Sequence, residues 1–169
     1  LRDLTDAFLH HAHYPLFEGA LVGGLNLVHL IFSRAYQTQT GLALKGWNIL
    51  VGPTTSGKEI ATKGPQEVLR ATGVPSVFQM LRGEPRSEQG LFRMISENSR
   101  ILVNMDECAA WIKTMCDPKA PACPSALREA LTKLYSKGDE SGVFFSTEKS
   151  EKGEKTFVTR PCLNIFGDS

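Results

Sequence analysis

Residues 48–59 read N-I-L-V-G-P-T-T-S-G-K-E, and they carry the most specific chemistry in the chain. The spacing from Gly52 through Gly57 to Lys58 fits the phosphate-binding pattern G-x-x-x-x-G-K. In such a loop, glycines let successive backbone N–H groups converge on phosphate oxygens, and the helix that follows presents its positive end. Gly52, Pro53, Thr54, Thr55, Ser56, Gly57, Lys58 and Glu59 are therefore the candidate phosphate-cradling residues, with Lys58 the mobile point charge for the outer phosphates. The eighth position usually holds a Ser or Thr hydroxyl for magnesium, but here it is Glu59. A carboxylate is itself a hard oxygen ligand, so Glu59 is a candidate metal ligand that also brings negative charge towards the phosphates. Thr62 lies one turn further on and reads as a helix residue.

A second constellation answers the first. An apolar run at 101–105 ends in Asp106 and Glu107. After a buried strand, the first acid can hold magnesium and the second can polarise an attacking water. Alone, an Asp-Glu pair is more often a plain strand end, and its meaning comes from the phosphate loop upstream. The last apolar run, 162–166, closes with Gly167, Asp168 and Ser169. Strands of open α/β sheets carry ligands at their carboxyl ends, which makes Asp168 and Ser169 candidate γ-phosphate sensors. Asn164 is a secondary candidate, read first as a hydrogen-bonded core residue.

The elements needed to position these groups follow from periodicity and punctuation. Residues 1–13 read as a short helix, and Pro15 opens a second that runs to about residue 36. Its apolar stretch, 16–32, contains Glu18, Asn26, His29 and three glycines, which favours a buried helix over a membrane span. The first central strand is expected at 47–51. A helix from Lys58 should break or restart around Gly64-Pro65, continue over 66–72 and stop at Gly73-Val74-Pro75. Ser87 is a candidate N-cap for a helix with Leu91, Met94 and Ile95 on its inner face, and Ser125 for one reaching Lys137 with Leu127, Ala130, Leu131 and Leu134 inward. The order strand, helix, helix, strand points to a mainly parallel sheet covered on both faces.

Residues 142–147 and 155–159 are β-prone and flank a charged, glycine-containing tip, a hairpin signal. The plain reading is a solvated edge hairpin. The sharper one puts Lys149, Lys152 and Lys155 against nucleic-acid phosphates, diluted by Glu148, Glu151 and Glu154.

Bulk properties are those of one globular domain. The chain has 169 residues, with 19 Lys and Arg against 18 Asp and Glu, so nucleic acid or an anionic membrane would have to be met by a local patch. Cys108, Cys116, Cys123 and Cys162 form no C-x-x-C pair and are expected reduced, in a cytoplasmic protein. His10, His11 and His13 lack a carboxylate or cysteine at ligand spacing. The chain starts without Met and ends on a strand-like run, so a fragment of a longer protein is expected, organised as a helical segment (1–40) and a nucleotide-binding core (41–169) truncated at its C-terminus.

Taken together, the chain resembles the phage-, plasmid- and island-borne P-loop proteins labelled primase/helicase-associated, a domain-of-unknown-function class. The resemblance covers nearly the whole sequence: the long apolar helix, V-G-P-T-T-S-G-K, the helix start at 87–91, I-L-V-N-M-D-E, and R-P-C-L-N-I-F-G-D-S. It implies a P-loop NTPase three-layer sandwich of RecA-like or AAA+-like type, with a β-hairpin insertion. The implied activity is that of a DNA helicase motor, usually ring-forming, using ATP and magnesium on single-stranded DNA. Gly52, Gly57 and Lys58 would bind phosphates, Asp106 and Glu107 would serve magnesium and water, and 167–169 would be the sensor turn. Arg100 and Arg160 are the arginines weighed for a role in trans, against a simpler reading as residues flanking strands. A small-molecule or nucleotide kinase and a non-catalytic, nucleotide-switched assembly module are the alternative readings.

Overall fold

The computed structural model describes residues 1–53, 55–119, 121–139, 141–145 and 157–169. In chain order the elements are α1 (Arg2–His11), α2 (Phe17–Phe32), β1 (Trp47–Leu50), α3 (Ile60–Ala71), α4 (Pro75–Phe78), β2 (Leu81–Arg82), α5 (Glu88–Glu97) and β3 (Arg100–Met105). They are followed by α6 (Cys108–Cys116), α7 (Ala122–Tyr135), β4 (Val143–Phe145), β5 (Phe157–Thr159) and β6 (Cys162–Asp168). Four strands form one sheet in the order β1-β6-β3-β2, every pairing parallel. The last strand is thus inserted between the first and the third.

Alternation along the central strands divides the core into two layers. Ile101, Val103 and Met105 of β3, with Leu163 and Ile165 of β6, face α5, α6, α7 and the two-stranded antiparallel pair β4-β5. Leu102 and Phe166 face the other way, against α1, α2 and α3. Helices on both faces of a parallel sheet make an α/β architecture compatible with a three-layer sandwich. The long apolar helix α2 is one of the covering elements. It sits so close to α3 that a Cβ on Gly23 would lie 3.1 Å from the Cα of Ala61. Among the described residues no helix is long and apolar enough to cross a membrane.

Several helix boundaries differ from those expected, among them the end of α2, at Phe32 instead of about residue 36. α3 runs unbroken through Gly64 and Pro65. Helical geometry before proline is disfavoured partly by a clash with the preceding Cβ, and Gly64 has none. α7 starts at Ala122, ahead of Ser125, with Pro121 as its N-cap residue. Pro124 falls in the first turn, where a missing N–H costs no helix bond. The Ser87 cap forms as read: its Oγ accepts from the Gly90 N–H at 3.1 Å.

The amino end of the sheet is fastened to α2. Arg100 donates to the Ile31 carbonyl in the last turn of α2 at 2.6 Å, and Arg160 to the Arg34 carbonyl, in the turn that follows the helix, at 3.0 Å. Cations bonded to the last carbonyls of a helix complement its negative end. Arg100 and Arg160 therefore lie across the sheet from the strand ends that carry Lys58 and the acids, and their hydrogen bonds are internal.

Candidate functional site

Parallel pairing brings the carboxyl ends of β1, β6 and β3 to one edge, and there the candidate residues meet. The ladder continues past β1 into the loop: the Gly52 N–H donates to the Ser169 carbonyl at 3.0 Å and the Ser169 N–H to the Leu50 carbonyl at 3.2 Å. Lys58 closes the same corner, donating from Nζ to the carbonyls of Gly52 (2.7 Å) and Ser169 (2.6 Å). Its ammonium is thus held by main-chain oxygens at the mouth of the loop.

Two of the loop's described residues have left-handed backbone. Thr55 has φ 66° and Gly57 φ 86°. Gly57 is also pressed against the chain between α1 and α2, so that a Cβ there would collide with the Tyr14 carbonyl. Only glycine meets both conditions. Ser56 has a buried hydroxyl oxygen with no hydrogen-bond partner, a polar atom inside the cradle.

Opposite the loop, Asp106 and Glu107 form the turn between β3 and α6, and both are exposed. Glu107 adopts left-handed geometry, φ 53° and ψ 43°, unusual for a side chain of its size. Its N–H donates to Asp168 Oδ1 at 3.2 Å, so the sensor candidate and the second acid are tied together. Beneath them Cys108 packs against Gly167, and burial pushes its thiol up, with the Asp168 carboxylate adding to the effect. A neutral thiol there is packing material.

Ser56, Lys58, Asp106, Glu107, Asp168 and Ser169 line a single cleft of about 670 Å³, together with Tyr14, Thr55, Gly57 and Glu59. Because β6 lies between β1 and β3, the lysine loop and the acids are two strand spacings apart, about 10 Å. A phosphoryl group and a water molecule fit across such a gap.

Other expected site residues lie elsewhere. Asn164 is fully buried below this edge; its Oδ1 accepts from the Gly46 N–H at 3.0 Å and its Nδ2 donates to the Ile101 carbonyl at 3.4 Å. It is a core residue joining β6 to its neighbours, and it does not line the cleft. Glu59 lines the cleft, but its carboxylate is paired with Lys63 at 2.7 Å, one turn along α3. Pro53 is exposed and outside the lining, and Gly52 contributes through its backbone. Thr54, Lys149, Lys152 and Lys155 lie outside the described residues.

The structure also adds residues that spacing did not suggest. Tyr14 lines the cleft from the N-terminal segment. Arg86 and Trp111 line a second hollow of about 490 Å³, which shares Asp106, Glu107 and Ala110 with the first. Asn104, on the strand that leads into Asp106, has a buried Oδ1 without a partner. An exposed tyrosine before a proline and an arginine in a loop follow no period, so no sequence signal marked them.

The described residues contain no group of three or more His, Cys, Asp or Glu side chains able to hold a metal ion by themselves. Magnesium bound with a substrate's phosphates needs only one or two carboxylates, and of the two expected to meet it Asp106 and Glu59 both line the cleft. Comparison of the chain with protein-family models, curated proteins and solved structures finds no match.

Proposed function

We propose that this chain is the ATP-hydrolysing core of a motor acting on DNA, of the P-loop type. The observation that carries the reading is the meeting of Lys58, Asp106, Glu107 and Asp168 in one cleft at the carboxyl edge of a parallel sheet. The left-handed loop residues turn backbone N–H groups towards a polyanion, and Lys58 exchanges its carbonyl partners for the outer phosphates. Glu107 takes a proton from the water whose oxygen attacks the γ-phosphorus. The bond to the bridging oxygen breaks, and ADP leaves with it. Magnesium, held through Asp106, would neutralise charge developing on the phosphate oxygens. Asp168 fixes the turn that presents Glu107.

A non-glycine residue in left-handed geometry costs about 1–3 kcal/mol and persists where the surroundings impose it, commonly at functional sites. Glu107 is such a residue, which favours a catalytic role over a plain strand end. Single-stranded DNA as the partner, a homo-oligomeric ring and a place in mobile-element replication extend the resemblance described above.

The test is ATP turnover with and without single-stranded DNA, in the wild type, Lys58→Ala and Glu107→Gln. Turnover that depends on both residues supports the reading, and turnover indifferent to both removes it. A kinase reading draws on the hollow lined by Arg86 and Trp111, which meets the cleft at the acids and has room for an acceptor. Phosphate transferred to an acceptor instead of released would select it, and nucleotide binding without turnover would select an assembly switch.

A further inference from the structure

On the far side of the 57–59 turn from the acids lies another hollow, of about 570 Å³, between α1 and α3. Its volume is that of a small-molecule pocket. Phe8, Ala12, Ile60 and Val68 give it apolar walls. The floor is closed: Gly64 is packed so tightly on Phe8 that a Cβ there would come within 2.8 Å of the ring. Tyr14, Gly57 and Glu59 line both this hollow and the cleft that holds Lys58, so the two meet at the loop.

A polar, lysine-bearing cleft opening onto an apolar hollow matches a ligand with a polyanionic tail and a flat apolar head. We infer that the hollow between α1 and α3 receives the base and sugar of a nucleoside triphosphate, with the Tyr14 ring stacking on the base. This rests on the reading of the Lys58 cleft as a triphosphate site. Tyr14 is suited to the role because its backbone is fixed against Gly57 while the residue is 65% exposed at the junction. An aromatic ring left in solvent beside an apolar hollow gains by covering a base. The negative charge of Glu59 at the junction is offset by its pairing with Lys63.

The test is calorimetric titration of ATP and of inorganic tripolyphosphate, each with magnesium, into four proteins: wild type, Ala7→Trp, Tyr14→Ala and Lys58→Ala. Ala7 is exposed on α1 and lines the hollow, so a tryptophan there fills it without entering the core. Wild type should bind ATP more tightly than tripolyphosphate. Ala7→Trp and Tyr14→Ala should each lose about tenfold in ATP affinity, with tripolyphosphate affinity unchanged, whereas Lys58→Ala should weaken both ligands. Equal wild-type affinities for the two ligands, or unchanged ATP affinity in both hollow variants, would overturn the inference and leave the triphosphate cleft standing. A loss in Ala7→Trp alone would overturn the role of Tyr14. Failure of wild type to bind either ligand would remove the triphosphate reading and this inference with it.

Discussion

The Lys58 ammonium donates to the carbonyl of Ser169 at 2.6 Å, across 111 residues of sequence. That bond, with its companion to Gly52, joins the turn after the first strand to the end of the last. A polyanion entering the cleft offers the ammonium oxygens of full negative charge, to which its own charge is drawn by Coulomb attraction. Lys58→Ala should therefore lower ATP turnover by about 10²–10³-fold, the loss typical when one charge-stabilising donor is removed. Steady-state phosphate release measures it.

Glu107→Gln separates binding from chemistry. The variant keeps the backbone N–H that donates to Asp168, so the turn should persist and ATP should bind with wild-type affinity. Turnover should fall by about 10²–10⁴-fold, the range contributed by a positioned general base. Equal losses in affinity and turnover would instead give Glu107 a structural role.

Gly57→Ala should be more damaging than its size suggests. The new Cβ meets the Tyr14 carbonyl, and φ 86° strains any L side chain. The unfolding free energy from denaturant titration should fall by about 1–3 kcal/mol, with tripolyphosphate binding reduced. A variant as stable as wild type would contradict the close contact between the loop and the N-terminal segment.

Asn164 gives the opposite pattern. Asn164→Leu strands the Gly46 N–H and should cost about 1–3 kcal/mol of stability. ATP turnover per folded molecule should be unchanged. A selective loss of turnover would restore Asn164 as a sensor.

His29 supplies a pH dependence unrelated to the cleft. Burial lowers its imidazole below the ordinary range. As pH falls through about 6.5 the unfolded chain takes up the proton first, so this contribution is full above that pH and is lost below it. Urea midpoints between pH 7 and pH 5 should fall less steeply in His29→Gln than in wild type. Parallel slopes would assign the dependence to other groups.

What the sequence disclosed follows physical range. The strand before Gly52, the acids following the strand over 100–105 and the Ser87 cap depend on neighbours a few residues apart, and spacing revealed them. The place of β6 between β1 and β3 depends on pairing between distant segments, which no local pattern encodes. Continuity of α3 through Pro65 hinged on Gly64 lacking a Cβ, a tertiary fit against Phe8 overriding the usual break. Tyr14 and Arg86 reach the site from loops, where exposure and lack of period hide them. Asn164 suggested both core and site, and only its hydrogen bonds decide between them.

Direct binding of ATP with magnesium to the 169-residue chain, wild type beside Lys58→Ala, tests the central claim most simply. Saturable binding weakened at least tenfold by the substitution is the expected result. No binding by wild type, or equal binding by the two proteins, would contradict it.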